Sequence, residues 1–180
     1  MTNFKEIIMD EINKIGSNFG FEIIVSKRPT INQIEELYEI ANADPEDLSD
    51  KEREEMECGV CGVTRIPELD DSCKTDNVEF FEDCLVYFFN HHLMMMSERG
   101  YDLEALIRSI VRHELRHCEQ IKELRRLGYD LNQVSEVEMS FEYGKGPMEY
   151  DALYTQFKGR VPIENFIKIF EAAYAFYKVS

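Results

Sequence analysis

The pentapeptide His113-Glu114-Leu115-Arg116-His117 constrains this chain more than any other feature. It lies inside a run, Asp102 to Leu127, in which Leu103, Leu106, Ile107, Ile110, Val111 and Leu124 recur at helical spacing, and Gly128 is placed to stop it. The spacing predicts a long central helix with one apolar face. On a helix, positions i and i+4 share a face, so both imidazoles can point at one metal ion. Glu114 adds a carboxylate beside that position, able to take a proton from an activated water. Two of the four histidines in the chain are used here.

The remaining pattern surrounds this helix. Phe4 to Phe19 reads as an amphipathic helix ended by Gly16 and Gly20, and Phe21 to Val25 as a short strand. Pro29-Thr30 opens a second helix, Ile31 to Asn42, with Ile34, Leu37 and Ile40 as its buried stripe. Asp44 to Glu57 is the most acidic stretch and reads as a solvated loop or a loosely attached helix. Strands are expected over Gly59 to Ile66 and Cys84 to Asn90, with the polar segment Pro67 to Asn77 between them and Val78 to Phe81 as an early start or a separate short piece. Beyond the central helix, Tyr129 to Gly146 reads as irregular. Gly144-Lys145-Gly146-Pro147 reads as a turn leading into a helix over Met148 to Phe157. Gly159 to Pro162 breaks that helix, and Ile163 to Tyr177 is the last amphipathic one. The expected class is α+β. A length of 180 residues favours one domain, with an N-terminal part to residue 57 and a core from residue 58 onward.

Charge narrows the partners. Acids outnumber bases 36 to 20, for a formal net charge of -16, a field that repels nucleic acid and anionic lipid. A basic protein or peptide suits it better, although such a charge also serves solubility alone. The N-terminus lacks a basic stretch before an apolar one, and Leu85 to Met96 is too short and too polar to span a bilayer. The five cysteines, an odd number, read as free thiols. A soluble cytoplasmic protein is the expectation.

A catalytic zinc takes three protein ligands and keeps one position for water. No histidine follows His117, so a third histidine downstream is excluded. His91 and His92 upstream read as partly exposed residues at the end of a strand. Glu149 is the better candidate, 32 positions beyond His117 at the start of the next helix, in the sequence Glu149-Tyr150-Asp151-Ala152. Ala152 would let two helices approach closely, and Asp151 suits a role orienting a ligand rather than binding the metal. The competing reading of Glu149 is an acid favoured by the dipole of a helix N-terminus.

HExxH on one helix and Glu-x-(Glu/Asp)-Ala on the next resemble the gluzincin branch of the zincin metallopeptidases. The segment His113 to Gln120 is most similar to small phage-type metallopeptidases with a minimal zincin fold. The likeness covers about Gly59 to Phe157, and one departure is Leu153, where relatives often carry an acid or asparagine. The resemblance implies a small twisted sheet packed on the HExxH helix, with an edge strand, Cys84 to Asn90 or Gly59 to Ile66, that a peptide could extend. It implies Zn2+ held by His113, His117 and Glu149, Glu114 as general base in peptide-bond hydrolysis, and Asp151 in support. Tyr143, Tyr150 and Tyr154 are nearby candidates for an oxyanion stabiliser, while Arg116 is expected to face solvent or a carboxylate.

Three other readings compete. Cys58-Gly59-Val60-Cys61, with Cys73 and Cys84, has the spacing of half a structural zinc site. The chain could instead be an acidic protein-binding or inhibitory module with a structural or vestigial zinc. The pentapeptide could also be coincidence, with both histidines satisfied in the core. Cys118, next to His117, reads as a packing residue.

Overall fold

A computed structural model describes residues 3–16, 19–98, 100, 102–142 and 144–179. It has the α+β class expected: a three-stranded sheet beside a larger helical half.

The N-terminal half supplies the sheet. Helix α1 (Phe4–Ile15) ends where Gly16 turns into the left-handed region at φ 83°, four residues before the expected end. Strand β1 (Glu22–Ser26) follows, then α2 (Ile31–Ala41), opened by a reciprocal capping box between Thr30 and Gln33. The Ile40 side chain of its expected stripe lies outside the described residues. The acidic stretch resolves into turns and α3 (Asp50–Glu57), a capped helix that buries no residue. Strands β2 (Gly62–Arg65) and β3 (Asn77–Phe81) complete the sheet in the order β1-β3-β2. β3 pairs parallel with β1, Glu22 opposite Asn77, and antiparallel with β2, Gly62 opposite Phe80. Val78 and Phe80 on the central strand are fully buried.

Two expectations fail in the middle of the chain. Cys84 to Asn90 is not a strand but most of helix α4 (Glu82–His91). Its apolar residues Cys84, Leu85 and Phe88 face the core at helical spacing, and Glu82 and Asp83 sit in the first turn, where the macrodipole favours acids. Lys27 and Arg28 then pair with Glu82 at 2.6 Å and Asp83 at 3.0 Å, anchoring that turn beside β1. The strand is Asn77–Phe81 instead. A short helix α5 (Leu93–Glu98) follows α4. The second failure is Tyr129 to Gly146, which contains helix α7 (Leu131–Met139). Asp130 caps it, and Leu131, Val134 and Val137 form its buried stripe.

The helical half is built on α6 (Leu103–Leu127), 25 residues long. Asp102 caps its start by accepting from Ala105 N at 2.7 Å, and Gly128 at φ 82° ends it. α6 packs against α1, α4, β2, α8 (Pro147–Lys158) and α9 (Ile163–Tyr177). One apolar cluster runs through Ile8, Phe80, Leu115, Cys118, Val137 and Phe170 and so joins both halves. Among the described residues no helix is long and apolar enough to cross a membrane.

Candidate metal centre

The site forms where α6 and α8 cross. Ala152 is fully buried in that contact, as its small size requires for close approach. The crossing brings Glu149, in the first turn of α8, over the turn of α6 that carries His113 and His117.

His117 Nε2 lies 3.1 Å from His113 Nε2 and 3.2 Å from Glu149 Oε1, and His113 Nε2 lies 3.4 Å from Glu149 Oε2. A tetrahedral centre with metal–ligand bonds of about 2.0–2.1 Å places its ligand atoms roughly 3.3–3.4 Å apart. The two contacts to Glu149 run to different carboxylate oxygens, and all three separations are close to the edge lengths of such a centre. The three ligand atoms converge, and among the described residues no fourth His, Cys, Asp or Glu joins them.

The electrostatics follow from this crowding. Burial pushes the His117 imidazolium down, but Glu149 alongside, the charge of Glu114 and the Gln120 carbonyl outweigh it and hold the pKa up at about 9. Burial would raise the Glu149 carboxyl, yet the two imidazoles hold it well below the usual carboxylate range. The His117 imidazolium and the Glu149 carboxylate thus stabilise one another's charged form.

The ring of His117 is oriented by Gln120, whose Oε1 lies 2.9 Å from Nδ1. With Nδ1 held by Gln120, Nε2 is directed toward Glu149 and His113. Gln120 is itself held: its Nε2 donates to Met148 O at 3.0 Å and Asp151 Oδ2 at 2.8 Å. Asp151 thus connects to the His117 ring through Gln120 rather than by touching an imidazole. Arg116, whose side chain is 1% exposed, grips Asp151 with Nε at 2.6 Å and Nη2 at 3.2 Å, and also donates to Glu119 Oε2 and Val161 O. The variable Arg of the pentapeptide thus faces a carboxylate and ties α6 to α8. His113 lacks an equivalent: its buried Nδ1 has no hydrogen-bond partner among the described residues.

The Glu114 side chain lies against β2. Thr64 Oγ1 donates to Glu114 Oε2 at 2.9 Å, and a Cβ added at Gly62 would come within 2.9 Å of the Glu114 side chain. Strand β2 can lie over Glu114 only because residue 62 is glycine. Gly62, Thr64 and Gln120 had no signal in the sequence beyond their residue types, because their roles exist only once β2, α6 and α8 are packed.

Other candidates fall away from this centre. His91 and His92 end helix α4, not a strand; His91 stacks on Tyr87 and lies 3.6 Å from Glu55. Tyr150 and Tyr154 are 57% and 46% exposed on α8, and Tyr143 lies outside the described residues. Leu153 is partly exposed. Cys118 is fully buried in the core, as a packing residue would be.

No family model, curated protein or solved structure matches the chain.

Proposed function

We propose that this chain is a zinc-dependent metallopeptidase of the gluzincin type, hydrolysing peptide bonds. The observation that carries the reading is the convergence of His113 Nε2, His117 Nε2 and the Glu149 carboxylate, with contacts of 3.1, 3.2 and 3.4 Å, built by two helices from an HExxH pair and a downstream glutamate. His113, His117 and Glu149 would hold the zinc, which when bound supplies a Lewis acid that acidifies water and polarises a carbonyl.

The remaining work belongs to the chain's own side chains. Glu114, adjacent to the first ligand and held by Thr64, takes the proton of the attacking water at its carboxylate and passes it to the leaving amine. Strand β2 hydrogen-bonds to β3 on one side only and lies at the edge of the sheet above Glu114. An extended peptide adding to that edge would run past the base. With Cys84 to Asn90 helical, β2 is the remaining one of the two strands expected to receive a peptide. The excess of acids favours a basic protein or peptide substrate over nucleic acid or an anionic membrane. Five free thiols suit a reducing compartment such as the cytoplasm.

The alternative, an acidic binding module with a structural zinc, draws support from the exposed helix α3. A structural site is normally closed by four protein ligands, and three converge here among the described residues, which favours the hydrolase. The test is Glu114→Gln against wild type, reading zinc content and cleavage of a peptide library together. Both proteins should hold one zinc, and the variant should lose about 10²–10⁴-fold or more in cleavage rate. Equal cleavage by the two proteins, or none by zinc-loaded wild type, would overturn the reading.

A further inference from the structure

Helix α8 starts without a cap of its own. Gly146 holds the N-cap position and offers no side chain, and Pro147 has no N–H to satisfy. The next two amides are satisfied from another helix. Glu138, near the end of α7, accepts from Met148 N through Oε2 at 3.0 Å and from Glu149 N through Oε1 at 3.1 Å. A Cβ at Gly146 would lie 2.1 Å from Glu138 Oε1 and 2.2 Å from its carboxyl carbon. Gly146 has φ -65°, a backbone conformation open to any residue, so the need for glycine there comes from the carboxylate alone.

We propose that Glu138 is a positioning residue for Glu149: seated in the gap left by Gly146, its carboxylate clamps the first turn of α8 to α7 and fixes the backbone from which Glu149 reaches His113 and His117. This rests on the metal-centre reading above. The physical case has three parts. A carboxylate accepting two backbone N–H groups makes charge-assisted bonds, stronger and more directional than an ordinary serine or threonine cap. One of the two amides belongs to Glu149 itself, so a shift of the clamp moves the ligand's own backbone. Finally, Gln120 holds the neighbouring carbonyl, Met148 O, from the α6 side, so this first turn is gripped on both its amides and its carbonyl. Ligating side chains depend on supporting partners of this kind for affinity.

The test uses Co2+ and Zn2+ titrations of the full chain, with the Co2+ visible spectrum as a report on ligand geometry and thermal unfolding of the metal-free protein as a control. Glu138→Ala should weaken Zn2+ binding by about 10–100-fold and alter the Co2+ spectrum. Gly146→Ala, which expels the carboxylate without removing it, should do the same. The double variant should be no worse than either single one, because both break one contact. Glu138→Gln, keeping one acceptor oxygen, should fall between. Should Glu138→Ala fail to fold, Gly146→Ala and Glu138→Gln decide the matter. A lowered melting temperature with wild-type affinity and spectrum would make Glu138 only a helix cap and overturn the proposal, leaving the metal centre intact. Wild type that binds neither metal would overturn the metal-centre reading, and this proposal with it.

Discussion

Two regions of this chain carry metal-ligand spacing, and only one of them converges. In the pentapeptide the spacing is set by a helix already fixed by 25 residues of packing, so His113 and His117 share a face before any metal arrives. Cys58 and Cys61 straddle a break: Cys58 caps the end of α3, and Cys61 lies just before β2. Cys61 Sγ donates to Cys84 O at 3.7 Å and Cys84 Sγ to Glu57 O at 3.6 Å, while the Cys58 thiol pairs with that of Cys84. Cys73 is engaged elsewhere, with Thr75 O and Asn77 Nδ2. Burial pushes the Cys61 thiol up and the Cys84 thiol to about 12. Spacing marks a metal site only where the backbone between the ligands is rigid and the donors lack better partners.

The largest way to break this contrast is to remove the rigidity. Arg116→Ala would leave Asp151 buried between α6 and α8 without its cationic partner, with Gln120 still donating to it, at a cost of about 3–5 kcal/mol in chemical denaturation. A loss under about 1 kcal/mol would show that the pair does not hold the crossing together. Gln120→Ala is a milder probe, since it frees the His117 ring but leaves all three ligands. Zinc affinity should fall about 10–100-fold in a chelator competition, and unchanged affinity would show that the ring needs no anchor.

Acid–base behaviour sharpens the comparison further. In metal-free protein the folded pKa of His117, about 9, exceeds its ordinary value of 6.5. Its stabilising pairing with Glu149 is therefore complete below pH 6.5 and lost as pH rises through about 9. Zinc reverses the sign: only the neutral imidazole is a ligand, so a proton competes with the metal and zinc affinity rises over the same window. Melting temperatures recorded with chelator and with zinc should diverge from pH 6.5 to 9, and parallel curves would contradict the shared site. The smallest expected effect is in the other region. Cys58→Ser should leave zinc stoichiometry unchanged, and loss of a zinc ion would revive the cysteine site.

Periodic segments of this fold were legible in the sequence, and short apolar ones were not. α6 and α9 stand where their stripes and breakers put them, because a long 3.6-residue period has few other readings. Cys84 to Asn90 is a short run of aromatic and branched residues that fits a strand or a buried helix equally well; what separates them is packing, with Cys84, Leu85 and Phe88 turned to the core at helical spacing. The α7 helix was visible in Leu131, Val134 and Val137 behind Asp130, but a three-residue stripe is easily passed over. In the candidate site, helical spacing put His113 and His117 on one face, and the helix expected from Met148 brings Glu149 beside them. Gly62, Thr64, Gln120 and Glu138 needed the packed structure, since each acts on a residue from another element.

The most direct measurement is an anomalous-difference map at the zinc edge from crystals of the zinc-loaded protein. One peak is expected, bonded at about 2.0–2.2 Å to His113 Nε2, His117 Nε2 and a Glu149 oxygen. No peak there, or the peak at Cys58 and Cys61 instead, would contradict the account.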